Sequence, residues 1–243
     1  MNILICISHV PDTTTRIKFT ADGKALDKSE VTFVINPYDE FALSKAIDLK
    51  EAGQATQVDV VCVGNNEVEP TLRKALAVGA DEAFRIDAEP NDAYTIAYQI
   101  AEFAKTKNYG MILAGKESID SNGAQVPMMI AEMLDLPAIS YATALDLNGE
   151  TATLKREIDG GEEVLQVLMP FVASCHKGIA EWKIANMRGI MSAKKKPLTV
   201  VPFAPCDQLV FNVSYQNPPA KSGCNYINDP VQLANALHEK GLI

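Results

Sequence analysis

The hydrophobic pattern of this chain alternates between two periods. Asn2–Ile7 is a short apolar run that stops at polar Ser8 and His9, the mark of a buried strand. Val31–Ile35 is a second such run. Asn36-Pro37-Tyr38-Asp39 then carries the signs of a helix start: Asn36 can cap, Pro37 fits the first turn, and Asp39 stands where a capping-box acid would. Phe41, Leu43, Ala46, Ile47 and Lys50 follow at near-helical spacing, and Gly53 reads as the stop. The alternation then repeats. Gln57–Val63, Glu82–Ile86 and Gly110–Ala114 are strand-like. Pro70–Val78, ending at Gly79, is helix-like, as is Asp92–Lys105 with Ile96, Ile100 and Ala104 in one stripe. Gln125–Leu134 is a third such helix, with Val126, Met129, Ile130, Met133 and Leu134 at helical spacing. Strands that alternate with helices of this length imply parallel pairing and right-handed crossovers, so an α/β fold with a doubly wound, mostly parallel sheet is expected.

The pattern changes after Pro137. Ala138–Ala144, Glu150–Glu157 and Glu163–Leu168 predict short strands, with Gly160-Gly161 turning between the last two. Met169–Ser174 is one more apolar run. Lys183–Lys196 is polar, irregular and basic at its end. Pro205–Asn228 has no period and is stiffened at Pro218-Pro219. Pro230–Lys240 closes the chain with a helical stripe of Val231, Leu233, Ala234 and Leu237. The division that follows is a domain over residues 1–204 and an arm over residues 205–243.

Composition narrows the choice of function. With 47% apolar and 22% charged residues, the 243-residue chain can bury a core. A net charge of −9 argues against wholesale nucleic-acid binding, which needs clustered Lys and Arg. The cysteines (Cys6, Cys62, Cys175, Cys206 and Cys224) are odd in number and form no C-x-x-C pair, which fits a reducing, cytoplasmic setting without a disulfide framework or zinc site. The N-terminus lacks the basic start of a signal peptide, and no stretch approaches the ~20 apolar residues of a membrane span.

The common catalytic motifs are missing: there is no G-x-G-x-x-G, P-loop, H-E-x-x-H or G-x-S-x-G. His9, His176 and His238 are far apart in sequence, and each reads as a surface or loop residue. The best physical candidate is Gly115-Lys116-Glu117-Ser118-Ile119-Asp120-Ser121-Asn122-Gly123-Ala124-Gln125-Val126. It lies just beyond the carboxyl end of a buried strand and runs into a helix start, which is where open α/β sheets bind ligands. Backbone amides there can hold a phosphate, and Gly123 and Ala124 let an anion approach. On the residues alone, a plain capped βα loop fits equally well. Asn36–Asp39 could line the same crevice or be an ordinary helix cap. Cys6–Thr13, rigidified by Pro11, is the third candidate, where the hydroxyls of Ser8, Thr13, Thr14 and Thr15 could meet a ligand.

Several segments, in this order and spacing, also match a known family. They are Asn36-Pro37-Tyr38-Asp39-Glu40, Leu72-Arg73-Lys74-Ala75-Leu76-Ala77-Val78-Gly79-Ala80-Asp81, Gly115–Asp120, Ala124-Gln125-Val126, Arg156–Gly161, and Asn186–Met191 with Ala193–Lys196. The chain resembles the beta subunit of electron-transfer flavoproteins over nearly its whole length. The resemblance implies a sheet of the adenine-nucleotide-binding type shared with universal-stress proteins, and a heterodimer whose alpha subunit holds the redox-active FAD. It implies that this chain carries electrons from flavin dehydrogenases, such as acyl-CoA dehydrogenases, to a quinone oxidoreductase or similar acceptor, with no catalytic residue of its own. It maps nucleotide contacts onto Cys6, Asn36, Pro37, Tyr38, Asp39, Val63 and every residue from Gly115 to Val126. The expected nucleotide is AMP. The alternative is a second FAD, as in electron-bifurcating members, whose pattern Val10-Pro11-Asp12-Thr13 and Ala124-Gln125-Val126 are more similar to. Arg156–Gly161 is more similar to the AMP branch, whereas Thr13 stands where that branch often has a tyrosine near the alpha-subunit flavin. Lys183–Met191 resembles a recognition loop for partner dehydrogenases, with Met187 as a lone apolar anchor beside Arg188, and the arm looks made to wrap the alpha subunit. A rival reading is a stand-alone nucleotide sensor of the universal-stress type, which would self-associate and lack such an arm. A nucleotide-activating enzyme of related fold is disfavoured by the missing phosphate loop.

Overall fold

The computed structural model describes residues 1–221 and 223–243. The first half of the chain runs β1 (Asn2–Cys6), β2 (His9–Pro11), β3 (Phe33–Ile35), α1 (Pro37–Glu51), β4 (Gln57–Val63), α2 (Glu69–Val78), β5 (Glu82–Ile86), α3 (Ala93–Lys105), β6 (Tyr109–Gly115) and α4 (Val126–Leu134). The second half adds β7 (Ala138–Asn148), β8 (Thr151–Ile158), β9 (Gly161–Leu168), β10 (Phe171–Cys175), α5 (Met187–Ala193), β11 (Leu198–Val201) and α6 (Pro230–Glu239). The main sheet has the order β11-β5-β4-β1-β6-β10-β7-β8-β9. Its pairs from β11 to β7 are parallel, and β7–β8 and β8–β9 are antiparallel hairpins.

The central strands read as unbroken apolar runs because both faces of the sheet are covered. Ile3, Ile5 and Ile7 point into a core shared with α1 and α2, while Leu4 and Cys6 point into a second core shared with α3 and α4. From β1 the chain winds through α1, β4, α2 and β5 to one side. It then crosses back through α3 to place β6 on the other side of β1. That reversal makes the β1–β6 junction the switch point of the fold, and the space beyond the two carboxyl ends is its natural crevice.

Three parts of the chain differ from the reading of the sequence. The run Val31–Ile35 does not join the main sheet: only Phe33–Ile35 is extended, and it pairs with β2 as a separate antiparallel ribbon. Its apolar residues are used against the β2 side chains and α2, with Phe33 stacked on His9 at 4.3 Å. The Lys183–Lys196 stretch is not irregular throughout, because Asn186 caps α5 by accepting from Gly189 N at 2.9 Å. A turn so short carries too few apolar positions to show a period. The third difference is β11, a four-residue edge strand with two exposed positions, which leaves almost no pattern to detect.

The arm begins attached to its own domain. Buried Gln99 of α3 donates to Ala204 O at 2.6 Å and accepts from Ala204 N at 2.8 Å. Asp92, the N-cap of α3, also accepts from Leu209 N and Val210 N. Farther on, Tyr215 stacks on Phe19 and its amide donates to Gly23 O at 2.7 Å. Beyond it none of the described residues is buried, α6 included. Among the described residues no helix is long and apolar enough to cross a membrane.

Candidate functional site

The crevice is held open by two buried side chains at the start of α1. Asp39 accepts from Ser8 N at 2.7 Å with one oxygen and from Gly115 N at 2.8 Å with the other. One carboxyl thus spans the carboxyl ends of β1 and β6, on either side of the switch point. Asn36 occupies the N-cap position, yet its side chain makes no cap bond. Instead its Nδ2 donates to Glu117 O at 2.8 Å, and its Oδ1 accepts from Ile119 N at 3.2 Å. The two residues expected to cap α1 therefore bind loops distant in sequence. The reason is burial: both sit in the protein interior and pair there with main-chain groups of the strand ends and of the loop after β6.

Gly115 is required by this closeness. A Cβ on it would lie 2.5 Å from Asp39 Oδ1 and 2.6 Å from the Tyr38 Cβ. After Gly115 the loop turns on Ser118, whose carbonyl accepts from Asn122 N at 2.8 Å and whose hydroxyl bonds Asp120. Asn122 and Ala124 both adopt left-handed backbone, with φ of 50° and 51°. For Ala124 that conformation costs about 1 kcal/mol. Strain of this kind in a crevice loop points to a task beyond connection. The task suggested by the geometry is an anion cradle. Gln125 leads into α4 without capping it by a side chain, Pro127 needs no partner for its nitrogen, and a Cβ on Gly123 would meet Ser121 Oγ at a loose 3.9 Å.

The remaining residues predicted from sequence fall around this crevice in different ways. Cys6 and Val63 end β1 and β4 and are buried, so they can offer a ligand main chain only. Burial, with the nearby Asp39 carboxyl, pushes the Cys6 thiol far above the thiolate range. Pro37 and Tyr38 are half-buried at the first turn of α1. Lys116 pairs with Glu117 Oε1 at 3.0 Å and lies 4.8 Å above the Tyr38 ring. Ser121, Asn122, Gly123 and Gln125 are exposed. Burial raises the Asp39 pKa to about 6 against the opposing pull of its amide partners, and burial likewise raises neighbouring Glu40 to about 7.

One of the three histidines departs from the sequence expectation. His9 is not a loop residue; it lies in β2, half-buried, with Nδ1 2.7 Å from Thr71 Oγ1. His176 was not assigned to the crevice, yet it follows β10 directly and meets Tyr38 edge-on at 5.7 Å. Its Nδ1 is the one buried side-chain polar atom without a partner among the described residues. Its place right after an apolar strand run was the available signal. His238 is exposed on α6.

Met187 and Arg188 lie outside the crevice, at the start of α5. Met187 is 74% exposed, but it is not a lone anchor: Trp182, Ile184, Ile190 and Met191 are exposed beside it. Lys196, at the basic end of the Lys183–Lys196 stretch, is half-buried. It reaches under α2 to donate to Leu76 O and Ala80 O. A shallow concavity lined by Lys107, Tyr109, Leu136 and Met169 lies at the amino-terminal end of the sheet, away from all candidate residues. It gathers neither a strained loop nor a helix start.

A doubly wound parallel sheet, with a braced crevice at its switch point and an uncapped helix start beside it, places the chain among ligand-holding α/β folds. Residues 24–205 match the model of the electron transfer flavoprotein domain. Related chains include the electron transfer flavoprotein subunit beta of Syntrophomonas wolfei, 36% identical over 98% of this chain and 95% of the relative. The Bacillus subtilis subunit beta is 36% identical over 82% of this chain and 77% of its own length. A subunit of the caffeyl-CoA reductase-Etf complex of Acetobacterium woodii is 31% identical over 82% of this chain and 78% of its own. The chain belongs to the electron transfer flavoprotein family, with the beta subunits.

Proposed function

We propose that this chain, paired with an alpha subunit that carries the redox-active FAD, moves electrons from flavin dehydrogenases to a quinone reductase or similar acceptor, and that its crevice holds an AMP. The observation that carries the nucleotide reading is the strained Asn122–Ala124 turn leading into the uncapped start of α4, braced by Asn36 and Asp39 across the switch point. The phosphate fits the amides from Gly123 to Val126, and the base fits the wall formed by the ends of β1 and β4 at Cys6 and Val63 and by Asn36–Asp39. FAD, when bound, supplies the electron chemistry. This chain's part is to bind, orient and shield. Asp39 gives both oxygens to amides, so it braces the crevice rather than moving a proton. The apolar face around Met187, edged by Arg188, is the docking face for a donor dehydrogenase such as an acyl-CoA dehydrogenase.

Denaturing the purified heterodimer and counting released nucleotides tests the crevice. One FAD and one AMP per heterodimer is the expected result. Two FAD and no AMP would overturn the AMP reading in favour of a second flavin in this chain. Met187→Ala is expected to slow reduction by the donor and to leave nucleotide content intact; unchanged kinetics would remove the docking role.

A further inference from the structure

The docking face sits on a seven-residue helix, and a helix this short does not hold its shape alone. What holds α5 is a reciprocal exchange with α2. Arg73, on α2, sends Nη1 to Ala193 O at 2.8 Å and to Lys196 O at 2.7 Å, the carbonyls that end α5 and follow it. Lys196, just past α5, sends Nζ to Leu76 O at 3.0 Å in the last turn of α2 and to Ala80 O at 2.5 Å just beyond it. Each helix thus has its carboxyl end capped by a cation from the other segment, where the helix dipole favours positive charge. Between the two caps the backbones touch. A Cβ on Gly189 would overlap Ala77 O, so only glycine lets α5 lie so close, and Ala193 is buried in the same seam. The opposite side of α5 carries Met187, Ile190 and Met191 into solvent.

We propose that Arg73, Lys196 and Gly189 are positioning residues that clamp α5 to α2 and thereby set the docking face at a fixed angle to the rest of the domain. None of the three is among the residues that line the crevice; they act through the helix they hold. The clamp also joins two regions. The same α2 that carries Arg73 near its middle offers Thr71 Oγ1 to His9 on the ribbon beside the crevice. One rigid element therefore separates docking face and crevice by a constant distance. The use of the clamp rests on the docking reading given above.

The test compares heterodimers carrying Arg73→Gln, Lys196→Met or Gly189→Ala with Met187→Ala and wild type. Amide hydrogen exchange reads the helix, and the KM and kcat of a flavin dehydrogenase that reduces the wild-type heterodimer read its use. The expected result for the clamp variants is at least about tenfold faster exchange over residues 187–193, with the sheet unchanged. It is accompanied by a raised KM for the heterodimer, unchanged kcat and full nucleotide content. Unchanged exchange over residues 187–193 in all three variants would overturn the clamp. Faster exchange with unchanged KM, while Met187→Ala raises KM, would overturn its positioning role. If Met187→Ala and the clamp variants all leave KM unchanged, it is the docking reading that fails.

Discussion

At the residue scale, Asp39 is the side chain on which most of the crevice depends. Its two oxygens hold Ser8 N and Gly115 N, and no neutral isostere can do both. In Asp39→Asn the amide oxygen accepts one bond while the NH2 group faces the other N–H. The expected cost is about 1–3 kcal/mol for the amide left buried without a partner, read as a lower urea midpoint together with reduced nucleotide occupancy. The protonation of Asp39 and Glu40 gives a second expectation. Burial raises their pKa values to about 6 and about 7, so between about pH 4 and 7 the folded chain holds protons that the unfolded chain has released. Glu40 therefore favours the folded state most below pH 4, and its contribution is lost as pH rises through 7; at Asp39 the amide bonds made by the ionised form offset part of the same trend. Urea unfolding of the nucleotide-free chain at pH 5 and pH 7.5 checks this: Glu40→Gln should reduce the loss of stability between the two pH values, and an unchanged difference would contradict the burial of that carboxyl.

At the scale of elements, α3 does two jobs with one cap. Asp92 accepts from Thr95 N with one oxygen and from Leu209 N and Val210 N with the other. Asp92→Ala should cost about 0.5–2 kcal/mol through the cap and also release the start of the arm. Limited proteolysis should then cut faster between residues 204 and 216 while the sheet stays intact. The same helix shows what sequence can reveal. Its capping box and apolar stripe are local, so Asp92–Lys105 could be read within a residue of its true bounds. The cap at α1 looked equally plain, and the crevice bonds of Asn36 and Asp39 were invisible because their partners lie roughly 80 residues away for all but Ser8. Gly115–Val126 was legible as a loop at the crevice from its position after a strand, but its left-handed turn was not, since neither Asn122 nor Ala124 announces positive φ as glycine would. α5 and β11 escaped for the opposite reason: they are too short to display a period, and they exist because α2 and β5 accept them.

At the scale of the whole molecule, the sheet keeps the regions to which the proposed reading assigns ligand and partners apart. The crevice lies at the switch point, the docking helix on the far end of α2, and the arm on α3. Each region leans on a different helix, so they can be removed separately. Deleting residues 216–243 should leave a domain that unfolds in one cooperative transition and retains the Asp39 brace, yet no longer co-purifies with an alpha subunit. Retained co-purification would place the main contact elsewhere.

The clasp on the arm has a further consequence for assembly. Residues 202–229 separate β11 from α6 in sequence, and the attachment at Tyr215 shortens the stretch between the last described clasp and α6 to residues 216–229. Halving a flexible leash raises the local concentration of its tip roughly threefold, because that concentration falls with about the three-halves power of length. On the proposed reading, α6 is a hook kept near its target, and the grip of Gln99, Asp92 and Gly23 on a few backbone atoms tunes how quickly a released alpha subunit is recaptured.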